Sequence, residues 1–229
     1  DPSGWRRRSP LERSETLARV AARLAERRGE LLGVMLAEGG KLFTEGDPEV
    51  SEAIDFCRFY GQTSEWYHAQ PGLEPLGKGV VVVLSPWNFP LAIPCGGVAA
   101  ALAAGNTVIL KPASDTVLVA YLLCECFWRA GVPKTALQLV TTHGEEVAQQ
   151  LVTHPAASVV VLTGGTETAA HLLRAKPTMP LFAETGGKNA TVVTALSDRD
   201  MAVKNAVASA FGHSGQKCSA TSLLILEDE

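Results

Sequence analysis

The chain has 229 residues, of which 46% are hydrophobic and 19% are charged, and its formal net charge is −4. This balance indicates a globular protein with a sizeable core, and the lack of a dense basic patch argues against a nucleic-acid partner. The longest apolar runs, at residues 80–84 and 98–104, are too short to span a bilayer, and the first residues lack the apolar core of a secretory signal.

Two helices are predicted at the start of the chain. Ser9, Pro10 and Glu12 form a capping box with proline at the first helical position. Apolar residues then recur at helical spacing as far as residue 32, among arginines and glutamates, which predicts an amphipathic surface helix. Asp47-Pro48-Glu49 predicts the start of the second helix.

From residue 76 the pattern changes to alternating strands and helices. The run Val80–Leu84 is typical of a strand that is covered on both faces. Strands are predicted at 80–84, 107–110, 137–140, 158–162 and 181–183, with helices at 99–104, 118–130, 145–152 and 167–174. A strand, a helix and a strand follow at 189–194, 199–211 and 221–226. The alternation predicts an α/β fold with a Rossmann-like parallel sheet and flanking helices.

Unusual residues follow several of these strands, where open α/β sheets bind ligands. Asn88 lies between two aromatic residues and two prolines, either in a rigid turn or as a held amide donor for an oxyanion. Lys111 is either a solvated lysine or a contact for a ribose or phosphate. Gly164-Gly165 opens a helix, either as a tight turn or as a phosphate site, although Ala169 stands where a dinucleotide fingerprint would have a third glycine.

Glu184 and Cys218 are the strongest candidates for chemistry. Glu184 follows an apolar strand and precedes a Gly-Gly turn, so we expect its carboxylate to be partly desolvated and more basic. Lys217 and backbone donors favour the thiolate of Cys218, and the other four cysteines are expected to be inert. Free cysteines without framework spacing indicate a reducing compartment, and we expect the cytoplasm. The five histidines share no ligand spacing, so no metal site is predicted.

Together these segments resemble the NAD(P)-dependent aldehyde dehydrogenases over nearly the whole chain. The matching pieces are Pro86-Trp87-Asn88-Phe89-Pro90, Gly105-Asn106-Thr107-Val108, Lys111-Pro112-Ala113, Thr163-Gly164 with Thr166-Glu167, Glu184 with Gly186-Gly187-Lys188, and Gly215-Gln216-Lys217-Cys218. Glu12-Arg13 and Glu38-Gly39-Gly40-Lys41 also look like the N-terminal region of that family. The resemblance implies the aldehyde dehydrogenase fold, truncated before most of the catalytic domain. It makes residues 1–185 the N-terminal helices and NAD(P)-binding domain, and residues 186–229 the start of the catalytic domain.

The resemblance also implies a role for each candidate. Cys218 would attack an aldehyde, Asn88 would hold the oxyanion with the Cys218 backbone N–H, and Glu184 would activate the water that hydrolyses the thioester. The residues that it assigns to the cofactor are Ser85, Pro86, Trp87, Lys111, Ser114, Gly144, Gly164, Gly165, Thr185 and Gly186. Gly165 departs from the serine that is common in the family, and Ser114 departs from the glutamate of many NAD-specific members. NADP therefore stays open, and NAD is the cofactor that the subfamily resemblance described next implies.

Thr185 and Cys218-Ser219-Ala220 resemble the L-glutamate γ-semialdehyde (1-pyrroline-5-carboxylate) dehydrogenases of proline catabolism, which are often joined to a proline dehydrogenase domain. This subfamily implies a small-molecule aldehyde substrate and a homo-oligomer or a bifunctional chain. The alternatives are a dehydrogenase for another small aldehyde such as succinic semialdehyde, a CoA-acylating relative, against which Glu184 argues, and a non-catalytic nucleotide-binding module. Because the chain has about half the length of a complete member, we expect this segment alone to be inactive.

Overall fold

The structure, a computed structural model, describes residues 2–142 and 145–228. Contacts within the chain separate two compact units, Asp1–Ala183 and Glu184–Glu229. The division of function at residue 185 stays a prediction. Among the described residues, no helix is both long enough and apolar enough to cross a membrane.

Three helices begin the first unit: α1 (Pro10–Glu26), α2 (Arg28–Gly39) and α3 (Phe43–His68). The predicted capping box is present, since Ser9 Oγ accepts the Glu12 backbone N–H and the Glu12 carboxylate accepts the Ser9 N–H. The predicted start of α3 at Asp47 is four residues late. Pro48 lies inside the helix, at its sixth residue, where its ring and its missing N–H affect the carbonyl of Thr44 near the helix start.

A five-stranded sheet confirms the predicted α/β alternation. Its strands are β1 (Val80–Leu84), β2 (Thr107–Lys111), β3 (Leu137–Leu139), β4 (Ala157–Gly164) and β5 (Leu181–Thr185), in the order β3-β2-β1-β4-β5. The pairs β1–β2, β1–β4 and β2–β3 are parallel. The connecting helices are α4 (Ala92–Ala103), α5 (Val117–Arg129), α6 (Glu145–Thr153) and α7 (Thr166–Ala175).

Both faces of β1 are covered, as its unbroken apolar sequence predicts. Val81 and Val83 belong to a core cluster with buried residues of α1 to α5. Val82 and Leu84 belong to a second cluster, which buried residues of α6 and α7 complete. The central strand is therefore fixed from two sides, and so is the starting point of the loop that follows it.

The second unit contains β6 (Asn189–Val193), α8 (Arg199–Phe211) and β7 (Thr221–Leu226). β6 and β7 pair in parallel, with α8 as the connection. The Asp198 side chain caps α8 by accepting the Met201 backbone N–H at 2.9 Å. These bounds reproduce the predicted elements, apart from Thr194, which lies outside β6.

Candidate active site

The carboxyl ends of three adjacent strands bring the predicted cofactor residues to one edge of the sheet. Leu84 of β1 is the register partner of Lys111 in β2 and of Leu162 in β4. The chain order reverses at β1, with β2 on one side and β4 on the other. Open α/β sheets bind nucleotides at such a switch point. Ser85, Lys111 and Gly164 follow or end these strands and therefore share that edge.

Lys111 and Ser114 come from the end of β2 and the turn that follows. The Lys111 ammonium donates to the carbonyl oxygen of Pro112 at 3.0 Å, and burial lowers the pKa of Lys111 below the ordinary lysine value. Ser114 is exposed and opens the short 3₁₀ turn before α5. A half-buried ammonium beside an exposed hydroxyl is suited to hydrogen-bond with the hydroxyl groups of a ribose.

Gly164 and Gly165 form the junction between β4 and α7. Gly165 is the N-cap of α7 with ordinary extended backbone (φ −70°, ψ 141°), and no side chain caps that helix end. A Cβ on either glycine would meet its nearest neighbour at 3.6 Å, an ordinary contact. The fold itself does not require glycine here. The missing side chains instead leave the backbone N–H groups at the start of α7 open to a phosphate, so this junction fits the pyrophosphate of a dinucleotide.

The loop between β1 and α4 carries Asn88, and contacts from the α2–α3 turn, from α3 and from β2 hold it. The backbone carbonyl oxygen of Asn88 accepts a 2.8 Å hydrogen bond from Lys41. One oxygen of the Glu49 carboxylate accepts the backbone N–H groups of Leu91 and Ala92 at 2.8 and 3.0 Å. At the start of the loop, the Ser85 N–H donates to the Lys111 carbonyl oxygen.

The remaining cofactor candidates differ in exposure. Pro86 is half-buried, and Trp87 is 40% exposed. Thr185 ends β5 and is half-buried, whereas Gly186 is exposed. Gly144, also predicted to bind the cofactor, lies outside the described residues.

Cys218 lies in the second unit and is exposed, in contrast to the other four cysteines, all of which are described and buried. The side-chain amide of Asn189 donates to the carbonyl oxygens of Cys218 and Ala220, which fixes the backbone around the thiol. The turn before this loop has left-handed backbone at His213 and Ser214 (φ 52° and 53°), a conformation that is costly for residues with a Cβ.

The buried cysteines are poor nucleophiles, as predicted. Burial raises the pKa of Cys124 to about 12 and also raises the pKa of Cys126. The pKa of Cys95 is raised by its contact with Cys57, whose sulfur lies 3.5 Å away, and by burial. The thiols of Cys95, Cys124 and Cys126 therefore stay protonated at neutral pH, and all four buried thiols are shielded from solvent.

Glu184 is exposed near the end of β5, so the predicted partial desolvation is wrong for this chain. The apolar residues before it suggested a buried strand, but β5 is the last strand in the sheet order, and Phe182 beside it is 63% exposed. Glu184 and Cys218 belong to the second unit, whereas Asn88 belongs to the first.

The structure adds residues that the sequence did not single out as site residues. The Glu38 carboxylate accepts the backbone N–H groups of Leu118 and Val119, at 3.0 and 2.9 Å, near the start of α5. Lys41, three residues later, reaches the Asn88 loop. The segment Glu38-Gly39-Gly40-Lys41 was noticeable as a motif, but its contacts are with residues far along the chain.

Known proteins resemble this chain in sequence and in structure. Residues 2–229 match the aldehyde dehydrogenase family. The chain is 39% identical to the 1-pyrroline-5-carboxylate dehydrogenase of Geobacillus thermodenitrificans, over 98% of this chain and 47% of that protein. Proline utilization A from Corynebacterium freiburgense has 44% identity and a TM-score of 0.93, over 97% of this chain and 23% of that chain. A Thermus 1-pyrroline-5-carboxylate dehydrogenase with bound NAD has 36% identity and a TM-score of 0.91, over 97% of this chain and 47% of that chain. The chain spans about half the length of the curated relatives that it matches.

Proposed function

Because this chain belongs to the aldehyde dehydrogenase family, we propose that the full-length protein oxidises L-glutamate γ-semialdehyde to L-glutamate with NAD⁺ in proline catabolism. The observation that carries the reaction type is the contrast between one exposed thiol, Cys218, on a held loop and four buried thiols. The substrate rests on relatives named 1-pyrroline-5-carboxylate dehydrogenase, which align over 98% of the chain.

The proposed reaction begins at Cys218. Its thiolate attacks the aldehyde carbon, a C–S bond forms, and the carbonyl oxygen becomes an oxyanion. The Asn88 side-chain amide and the Cys218 backbone N–H donate to that oxygen. NAD⁺, when bound, supplies the acceptor for the hydride that leaves the same carbon, and a thioester remains on Cys218. Glu184 takes one proton from the water that attacks the thioester, and the C–S bond breaks to free the thiolate. The carboxylic acid that forms then loses its proton to solvent and leaves as the carboxylate.

The dinucleotide is proposed to lie along the carboxyl edge of the sheet. Lys111 and Ser114 contact the adenosine ribose, and Gly164 and Gly165 present the α7 N-terminus to the pyrophosphate. The other residues that we assign to the cofactor are Ser85, Pro86, Trp87, Gly144, Thr185 and Gly186. Ser114 carries no charge that would repel a 2′-phosphate, so NADP⁺ is the second cofactor to test.

The setting of the full-length protein is part of the proposal. We assign residues 1–185 to cofactor binding and residues 186–229 to the start of the catalytic domain. The five free cysteines indicate a reducing compartment, for which we propose the cytoplasm. A homo-oligomer or a chain that also carries a proline dehydrogenase domain is proposed because structures of proline utilization A are among the similar ones.

The test is a substrate panel on the full-length protein. The proposal predicts that L-glutamate γ-semialdehyde has the highest kcat/KM, with NAD⁺ preferred over NADP⁺ and with no requirement for CoA. A higher kcat/KM for succinic semialdehyde would move the protein to another branch of the family. Dependence on CoA would replace hydrolysis with acyl transfer. Cofactor binding without turnover of any aldehyde would favour a non-catalytic nucleotide-binding module.

A further inference from the structure

A buried ion pair lies between the N-terminal helices and the loop that carries Asn88. Lys41 Nζ lies 2.5 Å from Glu49 Oε2, and the two side chains are 2% and 1% exposed. Taking two charges out of water costs free energy that their attraction repays only when further hydrogen bonds satisfy both groups. The partners of those further hydrogen bonds therefore show which part of the structure the ion pair holds in place.

Glu49 holds the far end of the loop. Its Oε1 accepts two backbone N–H groups, those of Leu91 and Ala92, where α4 begins. The N-cap position of α4 is occupied by Leu91, and no side-chain cap comes from that residue. A carboxylate from α3 thus supplies both the missing acceptor and the negative charge that a helix N-terminus favours.

Lys41 holds the middle of the loop. Its ammonium donates a 2.8 Å hydrogen bond to the carbonyl oxygen of Asn88 and lies 3.9 Å from the ring centroid of Phe89. Its contact with Glu49 Oε2 is close but lacks hydrogen-bond alignment. The ammonium therefore donates its hydrogen bond to the loop, and the negative charge of Glu49 holds the ammonium in that position.

We infer that Lys41 and Glu49 are positioning residues that fix the backbone of Asn88 and so aim its side-chain amide. The inference rests on the proposed function, in which that amide stabilises the oxyanion on the aldehyde carbon. The backbone of Asn88 is held directly by Lys41, and the backbone three residues later is held by Glu49. A displacement of about 1 Å in a catalytic group costs on the order of 10²-fold in rate.

The first measurement is the pre-steady-state burst of reduced cofactor in the full-length protein, with the Kd for NAD⁺ and the thermal midpoint recorded alongside. Lys41→Met is expected to slow the burst by ~10–100-fold while the NAD⁺ Kd changes by no more than about 2-fold. The double variant Lys41→Met/Glu49→Gln leaves no unpaired buried charge and keeps an oxygen for the α4 amides. It is expected to fold and to show the same slow burst.

A matched control separates this effect from a general loss of stability. Arg28 of α2 pairs with Asp47 of α3, at partly exposed positions away from the loop. Arg28→Met is expected to leave the burst within about 2-fold of the wild-type rate. An equal slowing in Arg28→Met and Lys41→Met would overturn the inference.

The effect of Lys41→Met is also measured in protein that already carries Asn88→Ala. If Lys41 acts through Asn88, then Lys41→Met slows the burst by no more than about 2-fold once the amide is gone. The same 10–100-fold loss in both backgrounds, or no loss in either, would overturn the inference while the proposed function stands. If Asn88→Ala alone leaves the burst unchanged, the oxyanion assignment in the proposed function is wrong, and the inference falls with it.

Discussion

The side-chain amide of Asn189 donates a 2.5 Å hydrogen bond to the backbone carbonyl oxygen of Cys218. A second bond, of 3.2 Å, goes from the same nitrogen to the carbonyl oxygen of Ala220. Asn189 is the first residue of β6, so one end of the small β6–β7 sheet anchors the loop that carries the exposed thiol. The position of the proposed nucleophile thus depends on a residue that has no chemical role of its own.

Asn189→Ala is expected to slow the burst of reduced cofactor about 10-fold, because the loop loses both anchoring bonds. The free energy of unfolding should fall by about 1–2 kcal/mol, the usual net effect of two hydrogen bonds. Thr191→Val is the matched control, since it removes a 2.8 Å bond to Thr221 in the same strand pair without touching the loop. Equal bursts in the two variants would show that the anchor does not position Cys218.

Lys111 predicts a specific pH dependence of cofactor binding. Burial lowers its pKa from the ordinary value of 10.5, so the folded protein gives up this proton at a lower pH than the unfolded chain does. If the charged ammonium helps to bind NAD⁺, the affinity falls as pH rises through that lowered pKa. The buried ammonium also lowers the free energy of unfolding. This cost is fully present below the lowered pKa and shrinks as pH rises from that pKa towards 10.5.

Titration of NAD⁺ at a series of alkaline pH values measures this dependence. Lys111→Arg keeps its charge throughout the range, so its affinity should stay level where that of the wild-type protein declines. Lys111→Met should bind weakly at every pH, without the decline. A wild-type decline that persists in Lys111→Met would assign the titration to another group.

Substitution of Gly165 with a larger residue is expected to weaken cofactor binding with little effect on stability. A Cβ at this position would lie 3.6 Å from Thr168 Oγ1, an ordinary contact, and the backbone is not left-handed, so Gly165→Val should change the free energy of unfolding by less than about 1 kcal/mol. The same side chain would cover the N–H groups at the start of α7 and weaken NAD⁺ binding by at least about 10-fold. Gly165→Ser adds an N-cap hydroxyl and should bind NAD⁺ at least as tightly as the wild-type protein does. Calorimetry with NAD⁺ checks both variants, and unchanged affinity in Gly165→Val would remove the pyrophosphate from this junction.

The sequence predicted elements well where one local pattern dominates. β1 and α8 have the predicted bounds, since an unbroken β-branched run and an N-terminal aspartate mark them. α4 begins at residue 92 instead of the predicted 99, and its added first part includes Pro94 and a Gly-Gly pair. Pro94 lies in the first turn, where proline is tolerated. A Cβ on Gly97 would lie 3.0 Å from Val83, so that glycine permits close packing of α4 against the sheet.

In the candidate site too, local sequence patterns mark some residues, whereas contacts between distant positions leave no such pattern. Asn88 and Cys218 are candidates because their neighbours along the chain mark them. The contacts that hold those residues join positions far apart: Lys41 is 47 residues from Asn88, and Glu49 is 42 residues from Leu91. Such pairs leave no local pattern. The exposure of Glu184 was missed for a related reason, since strand order is a property of the whole sheet.

The central claim is that Cys218 forms a covalent thioester, and acid quenching of the first turnover tests it directly. The full-length protein is mixed with L-glutamate γ-semialdehyde and NAD⁺, quenched, digested and analysed by mass spectrometry. A glutamyl adduct is expected on the peptide that contains Cys218. Cys218→Ala is expected to lower the rate by more than about 10³-fold while NAD⁺ still binds. An adduct on a different cysteine, or turnover by Cys218→Ala at the wild-type rate, would contradict the claim.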